Sequence, residues 1–97
     1  MSKHNYQIRI TKHARSRALE RDIRLDMIRD VINNPIETFF DKTRGNYKSV
    51  ALVKYPSSKQ ETYLMVIHSD KINTPVIVIS TMWQTTGWLR KNGFSKI

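Results

Sequence analysis

The chain has 97 residues, with 17 Lys or Arg against 8 Asp or Glu, so its formal charge is +9 with neutral histidines. One modest hydrophobic core is what this length supports, so we expect a single domain over residues 1–97, and the lack of cysteine excludes disulfides and thiolate zinc sites. The start of the chain is polar, and the sequence has no apolar run of about 20 residues, so it predicts no signal peptide and no membrane span. We therefore expect a cytoplasmic protein with no membrane partner.

The first third of the chain predicts a short strand followed by two helices. Tyr6 to Ile10 alternates apolar and polar residues, as a half-buried strand does. Thr11 is a favourable N-cap for a helix from Lys12 to about Arg21, and a second helix is predicted over Leu25 to Asn33, ended by Pro35. The apolar residues of the second helix recur at three- and four-residue spacing: Met27, Ile28, Val31 and Ile32.

The rest of the chain predicts four strands joined by short turns, because β-branched and aromatic residues dominate four segments. These segments are Ile36 to Phe40, Tyr47 to Tyr55, Glu61 to His68 and Val76 to Trp83. Short turns imply antiparallel neighbours, so we expect an α+β fold with two helices on one face of a four-stranded antiparallel sheet. The apolar run Val76 to Ile79 predicts a central strand buried on both sides.

The segment after about residue 84 is basic and interleaved with aromatic residues. From Gly87 to Ile97 it carries the cations Arg90, Lys91 and Lys96. We interpret it as a basic C-terminal extension, either a short helical turn or an ordered tail.

A row of His13, Arg17 and Arg21 is the main candidate for a functional site. Residues four apart on a helix lie only about 40° apart around its axis, so these three form one stripe without a carboxylate. Like charges in a stripe repel, and an external anion such as a phosphate would relieve the repulsion. The simpler interpretation is a solvated basic surface, neutralised from the side by Glu20 or Asp22.

The order of motifs resembles a known family. Thr11 to Pro35, with the His13 row, an Arg21-Asp22-Ile23 turn and an Asn34-Pro35 ending, resembles the opening of a widespread small bacterial and phage domain family. That family is similar in fold to the RelE and barnase-like ribonuclease toxins. The resemblance continues through the Gly45 turn to Ser80-Thr81-Met82-Trp83, from about residue 6 to residue 83. It departs at Asp22, where the family frequently has glycine.

This resemblance implies a RelE-like fold and a toxin-type endoribonuclease. A metal-independent ribonuclease needs an acid and base for the 2′-hydroxyl and 5′-oxygen, and positive charge at the phosphate. His13 is the first candidate acid or base, because histidine exchanges protons near neutral pH. Arg17 and Arg21 would hold the phosphate, with Thr81 or Ser80 hydrogen-bonding to it. The catalytic candidates are therefore His13, Arg17, Arg21 and Thr81.

Further residues are candidates for the site or for RNA contact. His68 is a second possible proton carrier, although a histidine at a strand end is more often structural. The residues expected to bind nucleic acid are Arg44, Tyr47, Lys48, Lys54, Arg90 and Lys91. Trp83, Trp88 and Phe94 would either stack on bases or close the core. His4 is discounted as near-terminal, no ligand spacing predicts a metal site, and no phosphate-binding loop predicts a nucleotide cofactor.

Three functions compete. The leading one is a toxin-type endoribonuclease that cuts messenger or ribosomal RNA by 2′-hydroxyl attack without a metal, restrained by an acidic antitoxin. The second is a non-catalytic nucleic-acid-binding accessory protein with the same fold. The third is a protein-interaction domain whose charge serves an acidic protein surface.

Overall fold

A computed structural model describes residues 5–97 of the chain, so His4 lies outside the described residues. The elements, in chain order, are β1 (Ile8–Ile10), α1 (Lys12–Glu20), α2 (Leu25–Asn33), β2 (Glu37–Asp41), β3 (Asn46–Lys54), β4 (Glu61–His68), β5 (Val76–Gln84) and α3 (Thr86–Lys91). The fold is therefore α+β. Across residues 5–97, no helix combines the length and apolar content that crossing a membrane would require.

The sheet has five strands and is mixed, where the sequence predicted four antiparallel strands and a separate short strand. Strands β2 to β5 form the predicted antiparallel meander. The first strand joins it as a fifth member, because Ile8–Ile10 pairs in parallel with Val76–Val78. The strand order is β1-β5-β4-β3-β2, so β1 covers the outer edge of β5 at Val76–Val78.

Helices α1 and α2 cover one face of the sheet, which we call the α1/α2 face. The first helix packs along β5 and the second over β3 and β4. Thr11 caps α1 as predicted, its hydroxyl accepting a hydrogen bond from the Ala14 N–H at 3.1 Å. Ala14 and Ala18 are the buried residues of α1, and such small side chains bring the helix close to the strand. The core between the layers contains the apolar side of α2, namely Ile28, Val31 and Ile32.

The opposite face, which we call the α3 face, is covered by the C-terminal segment. Leu89 of α3 and Phe94 are buried against Val50 and Met65 of the central strands. Phe94 also contacts the Phe39 ring of β2, with the ring centroids 5.7 Å apart. The basic segment after residue 84 is therefore packed on the sheet, and the sheet lies between two layers rather than under one.

Because helices cover both faces of the sheet, the most buried strands differ from the one that the sequence predicted. The prediction that Val76 to Ile79 is buried on both sides is wrong, because Val76 and Val78 are fully buried but Ile79 is 40% exposed. The strands buried on both faces are β3 and β4, where three consecutive residues are buried in each, at 49–51 and 64–66. The C-terminal layer lies over these central strands, and β5 is the strand next to the edge.

The turn between α1 and α2 has the backbone shape that a glycine would favour. Asp22 has a φ of 60°, in the left-handed region that glycine adopts most readily, and the resemblance led us to expect a glycine at this position. Aspartate is among the few other residues that tolerate this region. The turn therefore forms with aspartate at this position, and Ile23 directly after it is buried in the core.

Candidate nucleic-acid interface

The row of His13, Arg17 and Arg21 lies along one flank of α1. Because Ala14 and Ala18 face the sheet, helical spacing turns His13 and Arg17 away from it, and both are exposed. Arg21 is the C-cap residue of the helix and is half-buried. The structure thus presents two members of the row to solvent and anchors the third.

Arg21 is anchored by two contacts with β5. One guanidinium nitrogen, Nη1, donates a hydrogen bond to the main-chain oxygen of Thr81 at 2.5 Å. In return, the indole Nε1 of Trp83 donates to the main-chain oxygen of Arg21 at 2.7 Å. Strand β1 stops pairing with β5 at Val78, so Arg21 bonds to a stretch of β5 that has no strand on its outer edge. The remaining N–H groups of Arg21 are not used by any of these bonds.

Thr81 contributes to this arrangement through its backbone. Its side chain is fully buried on the α1/α2 face, and its hydroxyl has no hydrogen-bond partner among residues 5–97. The expected hydrogen bond from this hydroxyl to a bound phosphate is therefore not available at the surface. Ser80, the alternative, pairs with Ile67 and points to the α3 face, away from the row.

Arg17 forms the only side-chain ion pair of the row within the described part of the chain. Its Nη1 lies 3.4 Å from Oε2 of Glu20, one of the neutralising partners that the sequence suggested. Both side chains are about half exposed, and such surface pairs contribute less than about 1 kcal/mol. A phosphate dianion or diester can therefore compete with Glu20 for this guanidinium.

His68 is buried and cannot serve as the second proton carrier of a surface reaction. Its Nδ1–H donates to the main-chain oxygen of Ser69 at 2.6 Å, and its Nε2 accepts from the Ser49 hydroxyl at 2.7 Å. Thr38 continues this chain with a 2.8 Å contact to the Ser49 hydroxyl. Neither Ser49 nor His68 has exposed surface, so this Ser–His pair is structural and no substrate reaches it.

The environment of His68 makes the stability of the fold depend on pH. Burial lowers the pKa of His68, the Ser69 carbonyl raises it and the charge of Lys71 lowers it, leaving it below its ordinary value of 6.5. As the pH falls below 6.5 the unfolded chain takes up this proton before the folded chain does. The contribution of His68 to stability is therefore fully present above about pH 7, and below that it is lost by up to about 1.4 kcal/mol per pH unit until the pH reaches the pKa of the folded state.

We expect this loss when urea unfolding is compared between pH 7.5 and pH 5.5. The exposed His13 provides the matched control: His13→Gln should keep the pH dependence, whereas His68→Gln should lose most of it, whatever its stability at pH 7.5. Equal pH dependence in both variants would show that other groups carry it.

The residues predicted to bind nucleic acid lie in four separate places. Arg44 and Tyr47 are at the β2–β3 turn, where the Tyr47 ring stacks on His68 with centroids 6.0 Å apart. Lys48 lies on the α3 face, largely covered and 3.2 Å from Asp41. Lys54 ends β3 at the other end of the sheet, and α3 carries Arg90 and Lys91. No one surface unites this set with the row on α1.

Two cavities lie close to α1 instead. A groove of about 610 Å³ lies on the flank of α1 opposite the row. It is lined by three cations that were not among the predicted RNA contacts: Lys12, Arg15 and Arg24. A smaller pocket of about 460 Å³ is lined by Tyr55, Ser57, Ser58, Gln60, Thr62 and Trp83. The sequence predicted a turn at residues 56–59, but it did not predict that the polar side chains of this turn line a pocket. In residues 5–97, no three His, Cys, Asp or Glu side chains meet as a metal site would need.

Comparison with known proteins finds one family. Residues 10–83 match the sequence model of a family described as a domain of unknown function, DUF4258. No curated protein and no solved structure matches the chain. The matched range begins at the end of β1 and ends at Trp83, so it contains α1, α2 and the antiparallel meander. The match agrees with the predicted membership of a family of small domains, and its description assigns no activity. The likeness to RelE and barnase-like toxins stays a proposal.

Proposed function

We propose that this chain, which belongs to the DUF4258 family, is a toxin-type endoribonuclease that binds single-stranded RNA along the row of His13, Arg17 and Arg21. The observation that carries the proposal is the row itself. Two cationic or protonatable side chains project from one flank of α1, and the third is fixed at the end of that flank by Thr81. An anchored guanidinium loses less freedom on binding a phosphate than a mobile one does.

The charge of the surrounding surface supports an RNA partner. The chain carries an excess of nine cations, and both flanks of α1 are basic because Lys12 and Arg15 line the groove opposite the row. Neither of these two residues has a carboxylate within 4 Å among residues 5–97. Phosphate backbones bind such surfaces through release of counterions, whatever the base sequence.

The chemistry that the row supports is transfer of a phosphoryl group within RNA. His13 removes the proton of a ribose 2′-hydroxyl, and the 2′-oxygen forms a bond to phosphorus. The bond from phosphorus to the 5′-oxygen then breaks, leaving a 2′,3′-cyclic phosphate and a 5′-hydroxyl that takes its proton from solvent. Arg17 and Arg21 balance the negative charge that builds up on the phosphate oxygens.

A RelE-like arrangement is part of this proposal. What supports it is the combination of two N-terminal helices on one face with the antiparallel strands β2 to β5. A toxin of this kind requires an inhibitor, and we propose an acidic antitoxin that competes with RNA for the same cations. A cytoplasmic location belongs to the same proposal.

One observation favours a second function, binding of nucleic acid without cleavage. With His68 buried and His4 outside the described residues, His13 is the one exposed histidine between residues 5 and 97. If cleavage needs a second side chain to protonate the departing 5′-oxygen, residues 5–97 offer no second exposed histidine for that step. The chain would then bind RNA by the same row without cutting it.

The binding claim common to both functions is tested by the salt dependence of RNA affinity. Arg17→Gln should weaken binding of a short single-stranded RNA and reduce the slope of log affinity against log salt by about 0.7, the value for one phosphate contact. Lys91→Gln removes the same charge from the α3 face and should change the slope little. Fluorescence anisotropy at four or five salt concentrations measures both.

An unchanged slope for Arg17→Gln together with a reduced slope for Lys91→Gln would contradict the proposal, because it would move the RNA to the α3 face. An affinity that does not depend on salt would exclude phosphate contacts on any face.

A further inference from the structure

The pocket at the end of α1 has walls suited to a flat, polar ring. Tyr55 and Trp83 supply aromatic surface, and their rings meet edge to face with centroids 4.9 Å apart and planes at 61°. The opposite wall comes from the β3–β4 turn and the start of β4, and its side chains carry hydroxyl or amide groups: Ser57, Ser58, Gln60 and Thr62. In the described residues, no carboxylate and no cation lines the pocket.

The sheet register places this pocket on the same face as the row. Trp83 pairs with Leu64 and Thr62 pairs with Val53, and Leu64, Val53 and Trp83 all pack in the α1/α2 core. Tyr55 follows Val53 by two residues and therefore points to the same face. The pocket thus opens beside the C-terminal end of α1.

Arg21 links the row to the pocket directly. The indole nitrogen of Trp83 donates to the main-chain oxygen of Arg21, so one wall of the pocket is bonded to the last member of the row. The Arg21 guanidinium is fixed to Thr81, two residues before Trp83 on β5. A phosphate held by Arg21 therefore lies next to a pocket with aromatic walls.

From this arrangement we infer that the pocket binds one unstacked base of a single-stranded RNA whose neighbouring phosphate lies on Arg21. Bases are recognised in this way: the ring stacks on an aromatic side chain, and hydroxyl and amide groups bond to its edge. The inference rests on the proposed RNA binding and adds to it a site of base preference. Gln60 is the side chain in the pocket with both a hydrogen-bond donor and an acceptor on one planar group, which suits a base edge.

The experiment uses the two tryptophans, which lie on opposite faces of the sheet. In Trp88→Phe the remaining emission comes from Trp83, and we expect a short single-stranded RNA to quench it. An oligomer of the same length with abasic sugars presents the same phosphates, so it should bind with the same salt slope and leave the emission unchanged. In the same background, Gln60→Ala should reduce the affinity for the preferred homopolymer by about fivefold or more, with little effect on the abasic oligomer.

The outcomes separate this inference from the proposed function. RNA that binds without quenching Trp83, with no base preference and no effect of Gln60→Ala, overturns the base pocket and leaves the phosphate row standing. Failure of the RNA and of the abasic oligomer to bind overturns both. If Trp88→Phe does not fold, RNA labelled with 2-aminopurine and bound to the unaltered protein gives the same test, because stacking in the pocket quenches the label.

Discussion

Replacing His13 by alanine is expected to reduce the rate of RNA cleavage by about 10²- to 10⁴-fold, the usual contribution of a general base. RNA affinity should change much less, because the phosphate contacts proposed for Arg17 and Arg21 remain. The fold should be unaffected, since His13 is exposed and shares no hydrogen bond with the core. Cleavage of a labelled single-stranded RNA in chelator-containing buffer, with the 2′,3′-cyclic phosphate product identified by mass, measures the effect.

Ser16→Ala is the matched control for this experiment. Ser16 is also exposed on α1, but it lines the groove on the other flank, so its removal should leave cleavage within about twofold. Equal cleavage by the unaltered protein and His13→Ala would remove His13 from the reaction. Absence of cleavage in both, with RNA still bound, would establish the non-catalytic alternative.

Truncating Leu89 to alanine is expected to destabilise the whole domain by about 2–5 kcal/mol, as for other fully buried leucines. Leu89 is the buried residue of α3, and it packs with Phe94 on Val50 and Met65 at the centre of the sheet. The cavity would lie at the inner surface of the C-terminal layer. Urea unfolding followed by far-ultraviolet circular dichroism gives the change in the free energy of unfolding.

Lys91→Ala tests the same helix without a cavity, because Lys91 is exposed, and it should change stability by less than about 0.5 kcal/mol. A Leu89→Ala variant as stable as Lys91→Ala would mean that the segment after residue 84 is an appended tail. A loss of several kcal/mol would make the C-terminal layer part of the folding unit, although it lies beyond the matched range of residues 10–83.

Local patterns in the sequence predicted most of the elements. The predicted second helix, Leu25 to Asn33, has the bounds that the structure gives, and the first differs only at its end. The strand over Glu61–His68 also agrees. These elements are specified by caps, helical spacing and runs of β-branched residues, all of which lie within a few positions of one another.

The parts that local pattern did not predict depend on distant partners. Strand β1 has only three residues, and its partners at Val76–Val78 are 68 positions away. The α3 layer forms because Leu89 and Phe94 pack on alternate side chains of β3 and β4. Those side chains lie together on one face only after the five strands have paired in the observed register. Burial on both faces of the central strands follows from that layer, so the prediction for Val76 to Ile79 failed with it.

The candidate site likewise has one part that local pattern predicted and another that depends on distant partners. The row was predictable because its three members are four residues apart on one helix. The bond from Arg21 to Thr81 and the bond from Trp83 to Arg21 span 60 and 62 residues, so their roles appear only in the fold. His68 looked equally reactive in the sequence, but pairing with Tyr47 places it in the interior beside Ser49.

The location of the RNA on the molecule is the central claim, and amide shift mapping tests it most directly. Titrating a short single-stranded RNA into ¹⁵N-labelled protein should shift the amides of α1 around His13 and Arg17 and the indole Nε1–H of Trp83. The indole of Trp88, on the opposite face, should stay in place. Shifts confined to α3 and the Trp88 indole, with α1 and Trp83 unchanged, would contradict the account.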